Sequence, residues 1–264
     1  MRTNNTLTTA NGITWYYEQE GTGPDIVLVP EGYGDCHMFD KPMQQIASQG
    51  FRVTTFDMPG LSRSSKAPPS TYKYVTAQKL ATYIISLLDA LEIEEASFWG
   101  SSSGGSAVLA ILVDHPDRVR SAMVHEVPTY RMPRMTMLAS LPDEDIRELL
   151  SGSMKAGKLG DPGKWAALGD ECHARLRYNF PLWARGYPET IPSSSPVHNI
   201  EALKKKPLYW SIGADTPKET FADNVTTATK IGATLKQLPG MHYPYVTHPE
   251  EFAEHVIQAT KESV

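Results

Sequence analysis

Three consecutive serines, Ser101, Ser102 and Ser103, stand between glycines in the stretch WGSSSGGSA at residues 99–107. A serine hydroxyl attacks a carbonyl when a sharp strand-to-helix turn exposes it and a base takes its proton. So tight a turn demands small residues two positions before and two positions after the nucleophile. Ser101 would put Trp99 at one of those flanks, and an indole does not fit there. Ser102 is flanked by Gly100 and Gly104, a full G-x-S-x-G match, whereas Ser103 is flanked by Ser101 and Gly105, a poorer one. The pattern predicts Ser102 as nucleophile and leaves Ser103 to offer its backbone N–H to an oxyanion, as the residue after the nucleophile does.

The base should be a histidine held by a carboxylate, in the chain order Ser, acid, His. Of eight histidines, His242 in LPGMHYPYVTHPEEF falls between the last strand signal and the last helix, where it can reach the carboxyl edge of a parallel sheet. His248 belongs with the start of that helix, and His115, His173, His198 and His255 sit in ordinary helical or loop contexts. His37, close to the expected oxyanion loop, is a weaker pocket candidate. His125 and Glu126 make half a zinc motif, but Thr129 takes the second ligand position and Pro128 breaks the helix that motif requires, so no metal is expected. Two carboxylates stand level as the acid on the residues alone. Asp215 in SIGADTP follows the strand that carries the acid in most enzymes built this way, and Glu126 in MVHEVP ends the strand before it. A second oxyanion donor is expected at Gly32, in VPEGYGD at 29–35, where the glycines let a backbone N–H approach a ligand. The turn FDMPGLSRS at 56–64 reads as structural.

These side chains must be carried by alternating strands and helices. ITWYYEQ at 13–19 alternates apolar residues, as a sheet-edge strand does, while DIVLVP is apolar on both faces, as a buried parallel strand is; FRVTTFD repeats the strand signal and ASFWG is the next strand. Thr76 offers an N-cap to a helix with Leu80, Ile84, Leu87, Leu88 and Leu91 on one face. The helical SAVLAILVDHP follows the serines, with further strands in SAMVHEVP, PLYWSIGA and TLKQLP and a last helix in PEEFAEHVIQATKE. The expectation is an α/β fold with a mostly parallel central sheet covered by helices on both faces. Residues 1–128 and 198–264 would form its core and 129–197 a helical cap inserted after the sixth strand. That insert carries Met132, Met135 and Met137 and the segment FPLWARGYPETIP, and so promises an apolar pocket roof.

A chain of 264 residues, 41% hydrophobic, is long enough to bury such a core. A net charge of −5 without a basic stripe argues against a nucleic-acid partner. The amino-terminal MRTNNTLTTANG has no apolar core, and the longest aliphatic run is AVLAILV, so neither signal peptide nor membrane span is expected. Cys36 and Cys172 are too few for a disulfide framework. A cytoplasmic, cofactor-free monomer or homodimer acting on a small molecule is the resulting expectation.

With VPEGYGD, FDMPGLSRSSKAPP, WGSSSGG, VHEVPT, HARLRYNFPLWARGYPETIP and LPGMHYPYVTHP side by side, the chain resembles, end to end, the fungal zearalenone lactone hydrolases of the α/β-hydrolase superfamily. PLWARGYP is the most specific of these motifs, because nothing in the general fold requires it. The resemblance implies a carboxylic ester hydrolase that opens a macrocyclic lactone. It implies Ser102 as nucleophile, His242 as base and Glu126 as acid, with Gly32 and Ser103 as oxyanion donors. It also implies Trp183 packed on the lactone, with Tyr187, Pro188, Pro192, Pro128, Met154 and Phe221 around it. The chain departs from the family pattern at Glu31, where Asp is expected, and at Ser153, where an aliphatic residue is. The same elbow and histidine would equally serve a generic carboxylesterase, a carbon–carbon bond hydrolase, or a receptor-like lactone binder with slow turnover.

Overall fold

The computed structural model describes residues 1–158 and 161–263. Its eight strands are β1 (Thr3–Thr8), β2 (Thr14–Glu20), β3 (Asp25–Val29), β4 (Arg52–Phe56), β5 (Ala96–Ser101), β6 (Val119–His125), β7 (Leu208–Gly213) and β8 (Thr234–Leu238). They form one sheet in the order β1-β2-β4-β3-β5-β6-β7-β8. β1 and β2 run antiparallel and every pairing from β4 through β8 is parallel. β3 and β5 are buried along nearly their whole length, which is why both read as unbroken apolar runs. β2 is not the edge that its alternation suggests. β1 pairs outside it over six residues, TNNTLT, which are almost all exposed.

Between and after the strands come α1 (Asp40–Ala47), α2 (Ala77–Ala90), α3 (Ser102–Asp114), α4 (Pro133–Thr136), α5 (Asp143–Ser153), α6 (Pro162–Ala166), α7 (Gly169–Gly186), α8 (Ile191–Ser194), α9 (Ile200–Leu203), α10 (Ala222–Ile231), α11 (Pro244–Thr247) and α12 (Pro249–Lys261). The Thr76 hydroxyl caps α2, accepting from the Lys79 N–H at 3.2 Å, and Leu80, Ile84, Leu87 and Leu88 are buried on its inner face. Each such side chain contributes about 1.5–3 kcal/mol by leaving water. α2 packs on α3, which is buried from Ser103 to Leu112, while α1 packs on α12. The two helix pairs clothe the sheet on its two faces.

Everything described between β6 and β7 is helical or irregular, so the helical insertion follows the sixth strand. Its longest member is α7, with Pro181 inside it. No helix among the described residues is long and apolar enough to cross a membrane.

Candidate active site

The turn from β5 into α3 is as tight as its glycines suggest. Ser102 sits at its apex with φ +51°, a conformation that costs a non-glycine residue about 1–3 kcal/mol and persists where the surroundings enforce it. A Cβ on Gly100 would lie 2.6 Å from the Gly104 carbonyl oxygen, and one on Gly104 would lie 2.3 Å from the Pro30 carbonyl oxygen. The first glycine is thus required by the turn itself and the second by the end of β3 packed against it. Trp99 points away into the α1/α12 layer, with its ring 4.7 Å from Phe252 and 5.7 Å from Phe39. Ser101 is fully buried, Ser103 nearly so, and Ser102 is half-buried and lines a cavity.

Of the two carboxylates left open by the residues, Glu126 meets His242. It follows the end of β6 with φ +45°, and its Oε2 accepts a 2.6 Å hydrogen bond from His242 Nδ1–H. Its Oε1 accepts from the Gly213 N–H at 3.0 Å and from the Thr216 hydroxyl at 2.5 Å. Burial opposes ionisation of Glu126, but these donors and the imidazole outweigh it and hold the carboxyl down to about 2. Asp215 is exposed on the turn after β7, with its backbone N–H bonded to the Gly240 carbonyl. That turn supplies donors to the carboxylate rather than the carboxylate itself. With Nδ1 committed to Glu126, Nε2 is the other ring nitrogen of His242, a residue that lines the same cavity as Ser102.

Two supporting groups fix this pair. His125 is fully buried, and burial pushes it down to about 4, so it is neutral at pH 7. Its Nε2–H donates to the Met241 carbonyl at 3.2 Å, which leaves Nδ1 to accept from the Ser211 hydroxyl at 3.0 Å. The residue immediately before His242 is thereby tied to β6 and β7. Asn224, also fully buried, accepts from the Val127 N–H at 2.8 Å and returns a hydrogen bond to the Val127 carbonyl at 2.9 Å. Trp210 Nε1–H donates to the same Asn224 oxygen at 2.9 Å. The backbone just past Glu126 is pegged where the insertion begins.

Gly32 is where three segments meet. A Cβ there would lie 2.4 Å from the Trp183 indole and 3.0 Å from Ser103 Oγ, so the loop after β3, the serine turn and α7 converge on one backbone unit. The preceding Glu31 is buried, and its carboxylate accepts from the Tyr33 N–H at 3.0 Å. His37 lies apart from the cavity, on a short helical turn, with Nδ1 2.7 Å from Asp40.

The cavity above Ser102, Ser103, Glu126 and His242 encloses about 600 Å³. Trp183, Tyr187, Pro188 and Pro192 line it from α7 and the segment after it, with Pro128 and Phe221 completing that wall. The Phe221 ring stacks parallel to His242 at 6.0 Å. Met154 does not line the cavity: it is fully buried, and its neighbour Ser153 faces the space instead. Met132 and Met135 line it, as the methionine-rich insert suggests, whereas Met137 is 69% exposed and does not. Tyr130, Leu138, Leu149, Thr216 and Met241 also line it, and the sequence reading missed their part in it. Their only sequence signal was their place in or beside the inserted helices and the two strand-end turns. Gly32 itself does not line the cavity; a serine and an imidazole bonded to a buried carboxylate at its floor are parts that acyl transfer uses.

Residues 25–156 match the family model described as alpha/beta hydrolase fold. A zearalenone hydrolase of Bionectria ochroleuca is 59% identical over 99% of this chain and 99% of its own length. A second, of Cladophialophora bantiana, is 50% identical over 98% of this chain and 97% of its own. Among solved structures, the enol-lactonase from Burkholderia xenovorans superposes with a TM-score of 0.78 at 18% identity, covering 97% of this chain and all of that one. An N-acyl homoserine lactone degrading enzyme superposes with 0.76 at 23% identity, covering 96% and 98% of the two chains. The two superpositions establish the shared fold.

Proposed function

The chain belongs to the α/β-hydrolase family and is an ester- and lactone-cleaving enzyme of its zearalenone hydrolase group, and on that footing we propose that it opens the macrocyclic lactone of zearalenone and related resorcylic acid lactones through a Ser102–His242–Glu126 triad. The observation that carries the triad is the 2.6 Å bond between Glu126 and His242 at the floor of the cavity that holds Ser102. A volume of about 600 Å³ falls within the usual range for drug-sized ligands, roughly 300–1,000 Å³. Its apolar roof, from the insertion at 129–197, suits a largely hydrocarbon ring.

In this reading His242 Nε2 takes the Ser102 proton as Oγ attacks the lactone carbonyl. The Gly32 and Ser103 amides hold the tetrahedral oxyanion, each contributing about 3 kcal/mol to the barrier reduction. Glu126 keeps the imidazole in the Nδ1–H tautomer and stabilises its cation. The imidazolium returns the proton to the ring oxygen as the C–O bond breaks, which leaves an acyl-enzyme whose alcohol stays tethered to the acyl chain. Water, deprotonated by His242, then attacks the acyl carbon and Ser102 leaves, giving one hydroxy acid.

Incubation of the purified protein with zearalenone, followed by mass spectrometry, tests this. The expected product is the lactone plus one water. Cleavage of p-nitrophenyl esters with the macrolactone untouched would instead mark a generic carboxylesterase, and tight binding without turnover a receptor-like hydrolase.

A further inference from the structure

The helix that roofs the cavity also touches the oxyanion loop residue by residue. Arg175, Asn179 and Trp183 recur every four positions on one face of α7. Arg175 Nε–H donates to Asp35 at 2.6 Å, and Asn179 Nδ2–H donates to the Tyr33 carbonyl. The Trp183 ring meets Tyr33 edge-on at 5.0 Å and abuts Gly32. Asp35, Tyr33 and Gly32 are thus each gripped from the same helix face.

The middle contact is the most completely satisfied. Asn179 is fully buried, and its second Nδ2–H donates to Ser62 Oγ at 2.8 Å, while its Oδ1 accepts from the Ser62 N–H at 2.7 Å. Ser62, held at φ +45° in the 57–64 turn, passes its own hydroxyl proton to Asp35 at 2.9 Å. The direction of donation is therefore fixed throughout: Asn179 to Ser62, Ser62 to Asp35, and Arg175 to Asp35 from the other side. Asn179 does not line the cavity, so it has no route to the substrate except through what it holds.

We propose, building on the triad reading above, that Asn179 is a positioning residue that sets the Gly32 N–H for the oxyanion by anchoring the Tyr33 carbonyl to α7 and the 57–64 turn. Transition-state stabilisation by a fixed amide depends on its placement, and a displacement of about 1 Å at such a site costs on the order of 10²-fold in rate.

Asn179→Asp is the closest test in shape. It keeps an acceptor for the Ser62 N–H but replaces the donor to the Tyr33 carbonyl with a carboxylate oxygen. The measurement is the rate at which a fluorophosphonate phosphonylates Ser102, Oγ bonding to phosphorus as fluoride leaves, because its phosphoryl oxygen must enter the same amide pair whatever the natural substrate. A 10- to 100-fold slower labelling in a variant that melts cooperatively supports the proposal, as does a lower kcat on the lactone with KM within about twofold of wild type. Asn179→Ser is read in the same way if the Asp variant does not fold. A folded variant with a lowered Tm but wild-type labelling rate and kcat overturns it, since a purely structural residue would behave so. Wild-type protein that labels at Ser102 yet leaves the macrolactone intact overturns the substrate reading and not this one.

Discussion

Glu126→Gln removes one charge from the centre of the site while leaving its shape nearly unchanged, so its cost can be worked from the geometry. The carboxyl is held at about 2 against its ordinary 4.5. Each pKa unit is worth about 1.4 kcal/mol, so ionised Glu126 stabilises the fold by about 3 kcal/mol at pH 7. Because the folded value is the lower one, that stability is fully present above about pH 4.5 and is lost as the pH falls through about 2. At pH 3 roughly 1 kcal/mol of it remains. Urea unfolding of wild type and Glu126→Gln should therefore show a gap of about 3 kcal/mol at pH 7 that shrinks to about 1 at pH 3. Activity should fall much further, by about 10⁴-fold in kcat, because the amide no longer selects the Nδ1–H tautomer of His242. A stability gap that does not change with pH would show that the carboxylate is not held by its charge. Near-normal turnover would show that it is not the acid at all. Asp215→Asn, at an exposed position, should change neither quantity measurably.

Ser102→Ala should lower kcat by at least about 10³-fold, while Ser103→Ala stays within about tenfold, since it retains the backbone N–H; steady-state kinetics on the lactone separates the two. Gly104→Ala drives a Cβ to 2.3 Å from the Pro30 carbonyl, and thermal melting should show a loss of about 2–3 kcal/mol, or roughly 5–10 °C in Tm. Burial pushes both His125 and His255 down to about 4. The unfolded chain takes up those protons below about pH 6.5 while the fold refuses them, so stability is full above 6.5 and is lost toward pH 4, by about 3 kcal/mol for each histidine. Urea midpoints that stay flat from pH 6.5 to 4 would contradict this.

What the residues foretold and what they did not divides along the range of the interaction. The place of Ser102 at the apex of its turn was legible because the crowding at a strand-to-helix turn acts over a few positions, and Trp99 excludes Ser101 locally. Strands β3 to β7 were legible because burial along nearly their whole length draws β-branched and apolar residues to both faces. β1 was not, because TNNTLT lies on the sheet's rim with almost nothing buried and so carries no apolar pattern to read. Glu126 and Asp215 could not be separated from the residues alone, because both end strands and what distinguishes them is a hydrogen bond to a residue far along the chain. Met154 and Ser153 show the same limit at short range. Consecutive residues on a helical turn point about 100° apart, so placing the right segment over the cavity does not say which side chain enters it.

The grip of Asn224 on Val127 bears on how such an enzyme can change its diet. Glu126 sits one residue before the peg, and the inserted helices come after it. Strain from a different insert spliced in downstream would meet the Val127 peg before it reached Glu126. The same insert carries Asn179 and Trp183 onto Tyr33 and Gly32, so a new roof would inherit Glu126 in place but would have to remake those contacts.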